Sequence, residues 1–203
     1  MLMAKIKICG LTRLCDIEFV NEEKPEYIGF VLADSRRKVA PRQAEELRAK
    51  LCADIIPVGV FINEAIKNII SLTKNGIIGA IQLHGSEDEE YIKRLKSLTD
   101  KPVIKAVFVQ NNSDILKWEE SSADYLLFDS KSGGSGRKFD WSLIGETDNP
   151  YFLAGGLNLE NITGAIEKTK PFAVDVSSGV ETDGLKDHIK IKEFIRRVKS
   201  ERK

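Results

Sequence analysis

Two strand-like runs, one alternating and one apolar, end in residues that can do proton chemistry. Lys5 to Ile8 leads into Cys9-Gly10-Leu11-Thr12, and Tyr125-Leu126-Leu127-Phe128 ends in Asp129. A free thiol titrates near about 8.5 and becomes a usable base or nucleophile when positive charge lowers that value. A carboxyl group at the end of an apolar strand can be raised by its surroundings and serve as an acid. The pattern places a sulfur nucleophile or base, Cys9, and a candidate acid, Asp129, at two strand ends facing one pocket. The run after Asp129, Ser130-Lys131-Ser132-Gly133-Gly134-Ser135-Gly136, reads as a lid. Taken alone, Cys9 reads as a small buried hydrophobe. Only its place at a strand tip inside a suitable fold makes it chemical.

Strand parity extends the site downward. If Cys9 points inward, so does Lys7, because side chains alternate. On the last strand candidate, Asp175 and Ser177 share one parity while Val174 and Val176 share the other. If the first and last strands are neighbours, Lys7 and Asp175 can pair inside, as a buried charge requires. Lys7 would then also favour the thiolate of Cys9.

The elements that must position these groups alternate through the chain. Strand candidates are 6–9, 27–32, 55–61, 79–83, 103–107, 125–129, 152–154 and 173–176. Helical patterns lie at 15–22, 41–51, 64–74, 87–98, 114–121, 141–143, 159–168 and 190–199. Eight strand–helix units in 203 residues predict an α/β fold: a closed (β/α)₈ TIM barrel, one domain over 1–203. An open doubly wound sheet would carry a GxGxxG turn after its first strand; here one glycine follows, and the glycine-rich loops come late. Those loops, Ala154-Gly155-Gly156-Leu157-Asn158 and Ser177-Ser178-Gly179-Val180-Glu181, follow strands 7 and 8. In barrels that is where a phosphate is often held, through backbone amides that glycine lets approach. Arg36-Arg37-Lys38 follows strand 2, where one arginine could grip a carboxylate with two parallel hydrogen bonds. His84 ends strand 4 without an assigned role, and His188 falls near the start of the last helix.

Composition excludes several classes. Lys plus Arg and Asp plus Glu are 31 each, so no global field favours nucleic acid or a membrane. Cys9, Cys15 and Cys52 cannot all pair within the chain, and none has CxxC or metal-ligand spacing, which points to reduced thiols in a cytoplasmic protein. The N-terminal residues lack a signal-peptide apolar stretch, and no segment approaches the length of a membrane span.

A set of motifs, in order along nearly the whole chain, resembles the phosphoribosylanthranilate isomerase family. They are Lys7-Ile8-Cys9-Gly10-Leu11-Thr12, Gly29-Phe30-Val31, Gln82-Leu83-His84-Gly85, Asp129 with Gly133-Gly134-Ser135-Gly136 and Phe139-Asp140-Trp141, Leu153-Ala154-Gly155-Gly156-Leu157, and Asp175-Val176-Ser177-Ser178-Gly179-Val180-Glu181. The resemblance implies an isomerase of tryptophan biosynthesis acting by an Amadori rearrangement, with no cofactor and no metal. By position it makes Cys9 the general base and Asp129 the general acid. Arg37 would hold the substrate carboxylate, and Gly155, Gly156, Ser178 and Gly179 would surround the phosphate. Asp175 joins them as a substrate-binding residue. The expected partner is a small phosphosugar, not nucleic acid or membrane, and family members occur as monomers or homodimers. Family members often have proline, arginine and an aromatic where this chain has Arg36-Arg37-Lys38, so Arg36 is an alternative to Arg37. Ser135, Leu159 and Asp183 also depart from common family residues. A competing reading is a non-catalytic or differently specific phosphosugar-binding barrel, such as an indole-3-glycerol phosphate synthase-like enzyme. That would call for catalytic lysines on strand ends and an N-terminal extension.

Overall fold

Short β-branched runs pair in parallel when a helix returns the chain each time, and such a sheet is stable only when both faces are covered. The computed structural model describes residues 4–130, 140–145, 147 and 149–200. Among these, eight parallel strands close into a barrel in chain order: β1 (Lys5–Cys9), β2 (Tyr27–Val31), β3 (Ile56–Phe61), β4 (Ala80–Leu83), β5 (Val103–Phe108), β6 (Tyr125–Asp129), β7 (Tyr151–Leu153) and β8 (Ala173–Val176). Closure is direct, since β1 pairs with β8 and sets Lys7 opposite Asp175. The helices are α1 (Leu14–Glu23), α2 (Pro41–Arg48), α3 (Ile66–Lys74), α4 (Glu89–Lys96), α5 (Asn112–Leu116), α6 (Ile162–Thr169) and α7 (His188–Ser200), and a 3₁₀ turn at Trp141–Ile144 stands between β6 and β7. None of the described helices is long and apolar enough to cross a membrane.

Alternation along the strands divides the apolar residues into two cores. Tyr27, Val58, Ala80, Ile104, Ala106, Leu127, Phe152 and Ala173 fill the barrel. Their neighbours, such as Ile8, Ile28, Ile81, Phe128, Val174 and Val176, pack between sheet and helices. The valines of β8 take the helix-facing side, as their parity predicts.

The differences from the sequence-based boundaries have local causes. The fourth helix begins at Glu89, because Asp88 caps it by accepting from Tyr91 N at 2.9 Å. Glu87 turns inward instead and forms a buried pair with Lys105, 3.0 Å from Oε2 to Nζ. The fifth helix starts two residues early at a capping box of Asn111 and Asp114 and ends at Leu116. After β8 comes an unforeseen hairpin, β9 (Glu181–Thr182) and β10 (Leu185–Lys186), turned by Asp183-Gly184, both with positive φ. Residues 131–139, which carry the expected lid and the Gly133–Gly136 and Phe139 parts of the motif set, lie outside the described residues.

Candidate active site

A barrel presents its reactive groups where the strands end, because there the inward side chains lose their next layer of neighbours. Cys9 closes β1 and Asp129 closes β6, both about 8% exposed. They line one cavity of about 370 Å³ at the C-terminal ends of the strands. Its wall also includes Arg37, Gln82, His84, Phe108, Ser130, Gly155, Gly156, Asp175, Ser177 and Ser178. A volume of a few hundred Å³ suits a small organic ligand.

Space for the sulfur comes from the neighbouring strand. Gly29 is the register partner of Cys9, and a Cβ there would stand 2.6 Å from Sγ. Any side chain at Gly29 would evict the thiol. Beneath Cys9, Lys7 is fully buried and its Nζ lies 2.9 Å from Asp175 Oδ2. The paired layer inferred from parity is therefore present. Burial works against the charge on Lys7, but Asp175 and the adjacent sulfur outweigh it and hold Lys7 above its ordinary pKa. For Cys9 burial is the largest influence and pushes the thiol up; Lys7 pulls it down, Asp175 adds to the rise, and Lys186 opposes it. Lys7 thus favours the thiolate, as expected, without overcoming burial.

Asp129 is pushed up to about 6, chiefly by burial, against which the Ser130 N–H donates to Oδ1 at 2.7 Å. Asp175 adds to the rise and Lys7 opposes it. A carboxyl poised there can give a proton near neutral pH. His84, left without a role in the sequence, has Nε2 3.6 Å from Asp129 Oδ2. Gln82 Nε2 lies 3.1 Å from His84 Nδ1 and donates to it, and the ring meets Phe108 edge-on at 5.2 Å. Burial lowers His84 to about 4, so the imidazole is neutral and turns its Nε2–H toward Asp129. Among the described residues, the Oδ1 of Asp175 and the Oε1 of Gln82 are buried acceptors without a partner, and both residues line the cavity.

The glycine-rich loops after β7 and β8 form the wall between Asp129 and Cys9, with Gly155 against the Asp129 carboxyl. Gly155 and Gly156 have φ of +82° and +68°, which L side chains rarely adopt. Asn161 Nδ2 donates to Gly156 O at 2.9 Å and steadies this turn. The cavity brings together Cys9, Arg37, Asp129, Gly155, Gly156, Asp175 and Ser178. Gly179 is not among its lining residues: a Cβ there would run into the Leu157 carbonyl, so this glycine lets the β8 loop press onto the β7 loop. Directly after β8 the chain makes a single 3₁₀ turn, Ser178–Val180.

Arg37 and not Arg36 reaches the cavity; its side chain is 12% exposed, against 58% for Arg36. It does not stand alone. Glu181 accepts from its Nε at 2.6 Å and its Nη2 at 2.8 Å. Lys186 donates to the same carboxylate at 2.6 Å. Sequence reasoning gave no role to Glu181 and missed Lys186, although the Asp183-Gly184 dipeptide between two short runs is a hairpin signal that would have set them side by side.

The family model for N-(5'-phosphoribosyl)anthranilate (PRA) isomerase matches residues 6–197. A relative of that name from Endomicrobium trichonymphae is 50% identical over 98% of this chain and 100% of its own length. One from Clostridium acetobutylicum is 46% identical over 97% and 98%. The crystal structure of phosphoribosyl anthranilate isomerase from Thermotoga maritima superposes with a TM-score of 0.88 at 39% identity, covering 98% of this chain and 100% of that one. Another structure of such an enzyme, in complex with reduced 1-(o-carboxyphenylamino)-1-deoxyribulose 5-phosphate, gives 0.86 at 38% identity with the same coverage.

Proposed function

The chain belongs to the N-(5'-phosphoribosyl)anthranilate isomerase family, and we propose that Cys9 and Asp129 are the base and acid of its reaction. The enzyme converts N-(5'-phosphoribosyl)anthranilate to 1-(2-carboxyphenylamino)-1-deoxyribulose 5-phosphate in tryptophan biosynthesis. The protonated carboxyl of Asp129 gives its proton to the furanose ring oxygen. The bond from that oxygen to C1' breaks, and the anthranilate nitrogen lone pair forms a C1'=N Schiff base. The Cys9 thiolate removes the C2' proton; the C2'–H electrons form C1'=C2', and the nitrogen regains its lone pair. The resulting enolamine tautomerises to the ketose. Hydrogen moves within one molecule, so atoms and electrons balance without an added oxidant or reductant.

The observation that carries this assignment is the shared cavity, with the thiol on β1 and the raised carboxyl on β6. Its pKa pattern adds a feature. At neutral pH, burial keeps the proton on sulfur, and Asp129, at about 6, is mostly ionised. The productive form has the proton on Asp129 and is the minor tautomer of a coupled pair. Substrate entry displaces water from Asp129 and raises it further, toward that form. Neutral His84 then faces the carboxylate that Asp129 becomes.

Arg37 holds the anthranilate carboxylate, Gly155, Gly156 and Ser178 line the phosphate subsite, and Gly179 shapes it from behind. Asp175 accepts a sugar hydroxyl through Oδ1, which has no partner among the described residues. The ligand is accordingly a small phosphosugar. We assign the 203 residues to one barrel domain, working in the cytoplasm as a monomer or homodimer. The test is the fall of anthranilate-type fluorescence with freshly made substrate. Wild type should turn over, while Cys9→Ser and Asp129→Asn should fold and be nearly inactive. Near-normal turnover by Cys9→Ser would remove cysteine as the base.

A further inference from the structure

This inference rests on Arg37 as the residue that holds the substrate carboxylate. The hairpin of β9 and β10 brings Glu181 and Lys186 opposite one another in register. The Glu181 side chain is 5% exposed, and its two oxygens take the Nε and Nη2 of Arg37 as a fork. Lys186 is buried as deeply, and its Nζ touches three oxygens: Glu181 Oε1 at 2.6 Å, Ser177 O at 3.0 Å and Ser177 Oγ at 3.3 Å. Ser177 Oγ in turn donates to the Cys9 carbonyl at 2.9 Å. On its other side the Arg37 stem lies against Gly10, where any Cβ would collide with it.

A guanidinium has five N–H groups in a fixed plane. Glu181 uses the edge formed by Nε and Nη2. The hydrogens left, both on Nη1 and one on Nη2, form a second edge able to take another carboxylate end-on. Three cations, Arg36, Arg37 and Lys186, surround one anion, so the cluster keeps a net charge of about +2 to attract an acid. We propose that Glu181, anchored by Lys186, is a positioning residue for substrate specificity: it locks the plane of Arg37 so that the free edge reads the carboxylate of the substrate's aromatic ring.

Simple electrostatics and positioning predict opposite outcomes. Neutralising Glu181 makes the cluster more positive, which by charge alone would tighten an anionic ligand. Losing the fork frees the arginine, which costs the ordering of its side chain on each binding event. The experiment measures dissociation constants by calorimetry on the full chain for two ligands. One is reduced 1-(o-carboxyphenylamino)-1-deoxyribulose 5-phosphate; the other is the same compound made from aniline, without the carboxyl group. Their ratio reports the carboxylate alone.

In Glu181→Gln and in the shorter Glu181→Asp, the ratio should fall about tenfold, the size of a weakened charge-assisted hydrogen bond, while the aniline-derived ligand binds within about twofold of wild type. A ratio that stays or rises in both variants, or an equal loss for both ligands, would overturn the positioning role. Arg37→Met separates the two ideas. If it abolishes the ratio while the Glu181 variants keep it, Arg37 reads the carboxylate without Glu181. If Arg37→Met also keeps the ratio, the assignment of Arg37 itself fails and the proposal with it.

Discussion

Replacing Lys7 by methionine removes the charge paired with Asp175 beneath Cys9, and the structure predicts two separable effects. The first is on stability. Breaking a buried pair by deleting one partner typically costs about 3–5 kcal/mol, because the other charge is left without compensation. Lys7 is held above its ordinary value, so its contribution is complete below the unfolded-state pKa and is lost only as pH rises through the higher folded-state value. The cost should therefore be full at pH 7 and shrink only at strongly alkaline pH. The second effect is on the thiol. A positive charge beside a buried sulfur favours its thiolate and so holds the thiol below where burial alone would put it. Lys7 lowers the Cys9 thiol and Asp175 raises it, with Lys7 the larger influence. Lys7→Met should thus move the thiol titration further up. Removing both charges in Lys7→Met/Asp175→Leu should move it less.

The assay is the pH dependence of iodoacetamide alkylation in a background where Cys15 and Cys52 are alanine, leaving Cys9 as the single thiol. Urea unfolding at pH 7 supplies stability. The expected order of thiol pKa is wild type, double variant, single variant, rising. The expected order of stability is different: wild type and double variant close together, the single variant well below, because an apolar replacement of a buried pair is often neutral. A thiol titration unmoved by Lys7→Met would refute the idea that this lysine tunes the base, whatever happened to stability.

Four further outcomes follow from the same geometry. Cys9→Ser and Asp129→Asn should each lower kcat by about 10²–10⁴ with little change in KM, since general acid–base groups contribute on that scale; stopped fluorescence assays and circular dichroism check both. Asp129→Asn should at the same time stabilise the fold at pH 7 by up to about 3 kcal/mol, the cost of ionising a carboxyl raised from 3.8 to about 6. That gain should fade below about pH 4, where the acid is protonated folded or unfolded, as denaturation across pH would reveal. Gly156→Val should weaken binding of the phosphate-bearing product analogue far more than Ser178→Ala, because φ is +68° at Gly156; normal calorimetric affinity in Gly156→Val would refute the phosphate assignment. Arg37→Lys keeps the charge but not the planar fork, so its KM should rise and remain unrestored; an unimpaired Arg37→Lys beside an impaired Arg36→Lys would move the role one residue back.

What could be read in the chain and what could not divide along a physical line. Period-two alternation is local, so the barrel, the facing of Val174 and Val176, and the inward layer of Lys7 and Asp175 follow from neighbours two residues apart plus one closure between β1 and β8. The same holds for Cys9 and Asp129, which face the cavity because each is the last inward residue of its strand. His84 could be placed at the right face, but its role needed the 3.6 Å approach to Asp129 across the cavity, which no spacing in the chain encodes. The boundary of the fourth helix was misread because Glu87 looks like an exposed first-turn acid. It is instead drawn under the sheet by Lys105, a lysine on the outward parity of β5.

The carboxylate end of the site shows the limit most clearly. Arg36 and Arg37 are adjacent and identical in type, and sequence alone cannot choose between them. Burial chooses: Arg37 is tucked against Gly10 and gripped by Glu181, 144 residues away, while Arg36 reaches the same carboxylate from solvent. A charged group is worth little on a surface and much when desolvated and held in plane. Arg37 is thus the arginine held at the cavity, by a hairpin at the other end of the chain whose two-residue turn brings one acid and one lysine under it. Neither Asp183 nor Gly184 lines the cavity, yet the turn they make aligns Glu181 with Lys186. A change of turn residues there should therefore alter carboxylate recognition before it alters the fold.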